Sequence, residues 1–260
     1  MNFARPRRIS VSVVLLAACA AAGCSTKDST SASSAKSNRA GKAVDAATVG
    51  SITGRVTIIG TPPALRGLDM SAEPSCQAAH RSPMIPPQVV ADASGDLANV
   101  IVYVKTGASE YVFRPPSVPA KLHQTGCLYE PRVLGVMTGQ KLDVLNEDQA
   151  THNVFVMSKA NSPSNRSEIP GSPAIEETFI VPELAIPVKC NVHPWMKAYL
   201  FVFDHPFYAV TSRDGKFALN GLPPGTYTIG AWQELYGTQE QTVTIEPKQS
   251  ANLNFSFKAE

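Results

Sequence analysis

The stretch Val188-Lys189-Cys190-Asn191-Val192-His193-Pro194-Trp195-Met196 places a thiol, an imidazole three residues on and a thioether three further within one short segment. Such neighbours can meet around one ion if the backbone turns sharply, and Pro194 favours a turn. A second imidazole has to come from a separate strand. The segment Asn146-Glu147-Asp148-Gln149-Ala150-Thr151-His152-Asn153-Val154 supplies it, and the interval to Cys190 is long enough for an outgoing strand, a loop and a return strand. Soft sulfur combined with imidazole selects copper over hard cations. Zinc also accepts Cys and His, but a thioether is a poor zinc ligand and Met196 would then be unexplained. Met196 as core packing would leave a three-ligand site. His80, His123 and His205 lack comparable companions and are expected to be structural, His80 in a solvated loop.

The cysteines bear on the same site. Five are present. Cys19 and Cys24 fall in the N-terminal segment, leaving Cys76, Cys127 and Cys190 for the folded part. If Cys76 and Cys127 pair, Cys190 stays reduced, and a bound metal is one way to protect it. A Cys76–Cys190 or Cys127–Cys190 bridge is the competing arrangement.

These residues need strands to hold them. Twenty-one prolines and seventeen glycines, scattered without period, fit many short strands joined by turns, and 43% hydrophobic residues over 260 suffice for one large or two small cores. Ser51 to Gly60 alternates like a strand and leads into Thr61-Pro62-Pro63. Ala98 to Lys105 is a β-branched run, and more strands are expected from Tyr208 to Phe255. Asp214-Gly215 and Pro223-Pro224-Gly225 are turn signals bracketing a strand.

Two resemblances join these observations. From about Pro119 to His205, the elements Tyr129-Glu130-Pro131, Val133 to Val136, Gly139-Gln140, Val144 and Asn146, then His152-Asn153 and the Cys-x-x-His-x-x-Met spacing, resemble a cupredoxin. The terminal spacing is similar to the compact loop of amicyanin. The resemblance implies a Greek-key β-sandwich holding one copper ion through His152, Cys190, His193 and Met196, the last as a long axial contact. Asn153 would tie the two ligand loops together and hold the cysteine sulfur. Pro194 and Trp195, flanking His193, would belong to an apolar docking face for redox protein partners; Trp195 as a core plug is the alternative. Val188-Lys189 stands where the family usually has an aromatic residue before the cysteine. The Ser158 to Glu177 insert, rich in Ser, Pro and Asn, is also unusual and is expected to cover one side.

The segment from Asp214 to Tyr227 resembles the carboxypeptidase regulatory-like, transthyretin-related β-sandwich, which is usually non-catalytic. The expected fold is therefore all-β, with a cupredoxin sandwich at 117–206 inserted into a second small sandwich made of 51–116 and 207–260. Simple tandem domains are the alternative.

Arg5, Arg7 and Arg8, the apolar stretch Ile9 to Gly23 and small residues leading into Cys24 read as an export signal over 1–24. Ala21-Ala22-Gly23-Cys24 resembles the bacterial lipobox, implying acylation at Cys24, with Leu16-Ala17-Ala18-Cys19 as a second candidate. A lipid anchor would hold the protein at a membrane of the cell envelope, and the Ser-, Ala- and Lys-rich segment 25–50 reads as a disordered tether.

With 23 basic against 21 acidic residues there is no basic stripe, and nucleic acid is not an expected partner. Phosphate-loop, nucleophile-elbow and zinc-helix motifs are lacking, and a four-ligand copper site has no open position for substrate, so an enzyme is not expected. Two functions remain: one-electron transfer between envelope proteins, or a lipoprotein that holds copper or binds carbohydrate or protein, with the metal structural. Oligomeric state is left open.

Overall fold

The computed structural model describes residues 41–259. The expected signal, both lipidation candidates Cys19 and Cys24, and the tether up to residue 40 lie outside the described residues. Among the described residues no helix is long and apolar enough to cross a membrane.

The chain begins with β1 (Gly50–Ile59), the short helix α1 (Pro74–Ala78), the two-residue strands β2 (Val90–Ala91) and β3 (Leu97–Ala98), and β4 (Ile101–Thr106). It continues through β5 (Ala120–Thr125), β6 (Leu128–Glu130), β7 (Val133–Met137), β8 (Lys141–Asn146) and β9 (His152–Val156). Then come β10 (Ser164–Glu168), β11 (Ile175–Thr178), β12 (Glu183–Lys189) and β13 (Lys197–Phe203). The last strands are β14 (Tyr208–Val210), β15 (Lys216–Leu222), β16 (Gly225–Gln233), β17 (Gly237–Ile245), β18 (Ser250–Asn252) and β19 (Phe255–Lys258).

These strands make an all-β molecule of paired sheets. In one sandwich the order β10-β9-β12-β13-β7 faces β11-β8-β5-β6, around Leu122, Val144, Val154, Val188 and Leu200. In the other, β15-β1-β18, extended by β19 on β1, faces β14-β4-β16-β17 around Ile52, Val56, Phe217, Tyr227 and Phe255. Strand β1, from the N-terminal part, pairs with β15, β18 and β19 from the C-terminal part. The site strands lie between them in sequence.

Burial follows the side-chain period of two. In β15, Phe217 and Leu219 point inward while Lys216 and Ala218 are exposed. Strands β4 and β13 lack this alternation because both their faces are covered. Val102 and Val104 fill one sandwich core while Ile101 and Tyr103 face outward into a third cluster. On β13, Ala198, Leu200 and Val202 fill the other core, and Phe201 and Phe203 meet Tyr103 in the third cluster. The two sandwiches thus pack through an aromatic layer. Gly135 of β7 belongs to this layer, since a Cβ there would come within 2.5 Å of the Tyr208 ring. At its edge Arg132 and Glu234, both buried, form a two-pronged ion pair, and Arg132 also donates to the Lys197 carbonyl at 3.1 Å.

Three local expectations are revised. Residues expected within the tether at 41–50 make contacts of the folded body: Lys42 pairs with Glu110 through backbone and side chain, and Lys248 donates to the Thr48 carbonyl at 3.0 Å. The Ser158 to Glu177 insert does more than cover a side, since β10 lengthens one sheet through β9 and β11 lengthens the facing sheet through β8. Glu183 anchors the start of that insert by accepting N–H groups of Lys159, Ala160 and Asn161. Finally, His80 is half-buried and bonded through Nε2 to the Gly126 carbonyl at 2.7 Å. His123 pairs with Glu147 at 2.8 Å, and buried His205 bonds the Val104 carbonyl at 2.9 Å.

Cys76 and Cys127 form a disulfide and Cys190 is free, which removes the two competing bridges. The crosslink closes a separation of 51 residues. A loop of that length corresponds to about 4 kcal/mol of lost unfolded-state entropy. It fastens α1 and the irregular segment around it to the sandwich carrying the candidate ligands. Leu68, Met70, Cys76 and Met84 pack into that sandwich's core.

Candidate metal centre

Antiparallel pairing of β9 with β12, Val156 opposite Val188 and Phe155 opposite Lys189, brings the start of β9 beside the end of β12. His152 begins β9, and Cys190 directly follows β12. The loop from Cys190 to Met196 then closes on itself: Met196 N–H donates to the His193 carbonyl at 2.9 Å, and Cys190 N–H donates to the Met196 carbonyl at 3.3 Å. Local sequence therefore fixes the loop, while the sheet delivers the distant histidine.

Three of the four predicted residues, His152, Cys190 and His193, come together. His152 Nδ1 and His193 Nδ1 are 3.0 Å apart, and His193 Nδ1 is 3.8 Å from Cys190 Sγ. One donor atom from each of the three residues fits within 4.8 Å of the others. All three are buried, and Met196, fully buried, packs in the same core cluster as Cys190. Two ring nitrogens and one sulfur converging away from water suit a single soft or borderline ion, copper and zinc among them.

The surroundings orient these donors. Cys190 Sγ accepts the N–H groups of Asn153 and His193, each at 3.3 Å. The Asn153 side chain accepts the Asn191 N–H at 3.3 Å and donates to Asn165 Oδ1 at 2.7 Å, so it ties the ligand loop to β10. Asn153 thus holds the sulfur through its backbone and the loops through its amide.

Asp148 was not singled out from the sequence. Its Oδ2 lies 2.9 Å from His152 Nε2, turning Nδ1 toward the centre, and it accepts N–H groups of Gly126 at 2.6 Å and Cys127 at 2.8 Å. A carboxylate four residues before a ligand histidine was a visible signal. Glu147, one residue earlier, was as near along the chain, but it bonds His123 and Thr125 instead. A carboxylate on a ligand's outer nitrogen typically changes metal affinity 10- to 100-fold when removed. Asp148→Ala is expected to weaken metal binding by about that factor, measured by competition against a chelator of known affinity.

His193 lies beneath α1. Its outer edge does not face solvent: the ring is 2% exposed, with Nε2 3.7 Å from Cys76 Sγ and 3.9 Å from a Glu73 carboxylate oxygen. The disulfide holds α1 against it. Trp195 is half-buried, packs 5.1 Å from the His193 ring and donates its indole N–H to the Cys127 carbonyl at 3.0 Å, as a plug would. Pro194 and Val192 are exposed beside it.

The charges are set by these contacts. Burial would push the Cys190 thiol up, but hydrogen bonds from His152 and from the N–H groups of His193, Asn153 and Val192 outweigh it and hold the thiol below its ordinary value. Burial likewise opposes a charged His152, yet Asp148 and Cys190 together raise it to about 9. Burial, then the neighbouring His152 charge, lowers His193. Asp148 falls below the usual carboxylate value because His152 and two backbone N–H groups outweigh its burial. Both shifts run in the direction of a charged His152 beside an acidified Cys190, and a metal ion takes the deprotonated forms of both ligands.

Residues 197–258 match the family model for the carboxypeptidase regulatory-like domain. The match begins in β13, which pairs with β7 and β12 of the sandwich carrying the candidate ligands. Among solved structures, the chain is similar to a Cu-containing nitrite reductase (NirK) from Thermus scotoductus SA-01, at 17% identity and TM-score 0.32, over 58% of this chain and 28% of that one. It is similar to a novel purple cupredoxin from Nitrosopumilus maritimus, at 20% identity and TM-score 0.28, over 32% of this chain and 98% of that one. Amicyanin from Paracoccus versutus is similar at 16% identity and TM-score 0.30, over 39% of this chain and 96% of that one. A search of curated proteins gave no match.

Proposed function

We propose that this chain is an exported, lipid-anchored electron carrier of the cell envelope, holding one copper ion of the blue kind through His152, Cys190, His193 and Met196. The observation that carries this reading is the buried convergence of two imidazole Nδ1 atoms with one thiolate-prone sulfur. Copper so ligated exchanges single electrons with little change of geometry. The residues contribute rigidity. Asp148 fixes the His152 ring, Asn153 and the Cys190–Met196 loop fix the sulfur, and the surrounding core excludes water. Because the donors are buried, substrate has no approach to the ion, which favours a carrier over a catalyst. Exposed Val192 and Pro194, the uncovered part of the ligand loop, are the proposed contact for a redox protein partner. Acylation at Cys24 would supply the anchor, and the regulatory-like sandwich is given a non-catalytic role.

One equivalent of cupric ion added to the full-length chain is expected to produce an intense visible charge-transfer band from the Cys190 thiolate. Met196→Leu, which nearly conserves volume, is expected to keep the band and shift the reduction potential. No band, with zinc bound as well or better, would overturn the reading. The covered edge of His193 favours a second one, in which the chain holds copper without passing electrons. Reversible voltammetry of the copper-loaded protein supports the carrier; an electrochemically inert ion supports the holder.

A further inference from the structure

The two ligand histidines have two sides. Their Nδ1 atoms face each other beside Cys190, while their Nε2 atoms face a second group of donors: Asp148 on His152 at 2.9 Å, and Cys76 Sγ on His193 at 3.7 Å. Donor atoms of Cys127, Asp148 and His152 also fit within 4.8 Å of one another. Cys76 and Cys127 are both buried, and Glu73 adds a carboxylate 3.9 Å from His193 Nε2. In the disulfide the two sulfurs are poor ligands. Reduced, they would be two adjacent soft donors, whose type favours a soft cation, with two carboxylates beside them adding negative charge.

We propose that reduction of the Cys76–Cys127 disulfide creates a second, outer site for one cuprous ion, bound by the two thiolates with the Asp148 carboxylate beside them. The reductant is a dithiol. It gives two electrons and two protons to the disulfide and is itself oxidised to a disulfide, and each protein thiol passes its proton to solvent as the ion binds. The ion stays cuprous throughout. Since the crosslink is buried, this state belongs to a chain folded before oxidation or to one whose α1 segment has lifted to admit the dithiol. The two sites share Asp148 but no sulfur, so replacing the sulfurs of one leaves those of the other in place.

The test uses the full-length chain carrying Cys19→Ser and Cys24→Ser, so that only Cys76, Cys127 and Cys190 bear sulfur that can become thiol. Cuprous ion buffered by a chromogenic chelator is titrated anaerobically before and after phosphine reduction, with free thiols counted. One equivalent is expected to bind to the oxidised chain and two to the reduced chain. With Cys76→Ser and Cys127→Ser added, the count should stay at one under both conditions. In the Cys190→Ser background the reduced chain should still bind one equivalent at the outer site, so the result stays readable even if the inner centre lacks a blue band. Three free thiols with a single bound equivalent would overturn the proposal. So would a second equivalent that survives the double serine replacement, or a reduced chain that unfolds and does not refold when cuprous ion is supplied.

Discussion

Cys190→Ser is expected to abolish the intense visible band of the copper-loaded chain while leaving its fold intact. The band requires a thiolate electron pair on the ion. A serine hydroxyl stays protonated near neutral pH, so neither the short soft bond nor its charge transfer forms. The fold should survive because the serine oxygen can accept the same two N–H groups, from Asn153 and His193, that the sulfur accepts at 3.3 Å. Exchange of one buried acceptor for another costs on the order of 1 kcal/mol, small against the stability of a domain. Far-ultraviolet circular dichroism and the visible spectrum, recorded on one sample, check both halves. A retained band would mean that Cys190 is not the sulfur ligand.

Glu234→Ala is expected to lower stability by roughly 3–5 kcal/mol, because it leaves the Arg132 guanidinium buried with its charge uncompensated. Both partners are buried at the edge of the aromatic layer between the sandwiches, and Arg132 also holds the Lys197 carbonyl at the start of β13. For a body of this size the loss corresponds to a Tm lower by roughly 10 °C, readable by calorimetry of the metal-free chain. The apolar double replacement Arg132→Met with Glu234→Leu should lose far less, since no charge then remains in the interior. Equal losses in the single and double variants would show that the pair contributes through packing rather than through charge.

Much of the architecture was legible along the chain. The alternation in Ser51 to Gly60 became β1, and Asp214-Gly215 and Pro223-Pro224-Gly225 became the turns on either side of β15. Those signals are local, carried by backbone preference and by the period-two pattern of a half-covered strand. Strand β4 was visible as an apolar run, but what covered its second face was not. An unbroken run reports burial on both sides without naming the neighbour.

At the candidate centre the same division holds. The residue types at His152, Cys190, His193 and Met196, and the three-residue spacing of the loop, determined by themselves which atoms could share an ion, because donor softness and chain reach are properties of the sequence. Tertiary structure alone decided that Asp148 rather than Glu147 holds His152, that α1 lies over His193, and that Trp195 turns inward. Each depends on groups from separate strands or from across the disulfide. Neighbouring carboxylates look alike along a chain, and only the β9–β12 pairing, together with the turn at Gly126 and Cys127, places one of them against the imidazole.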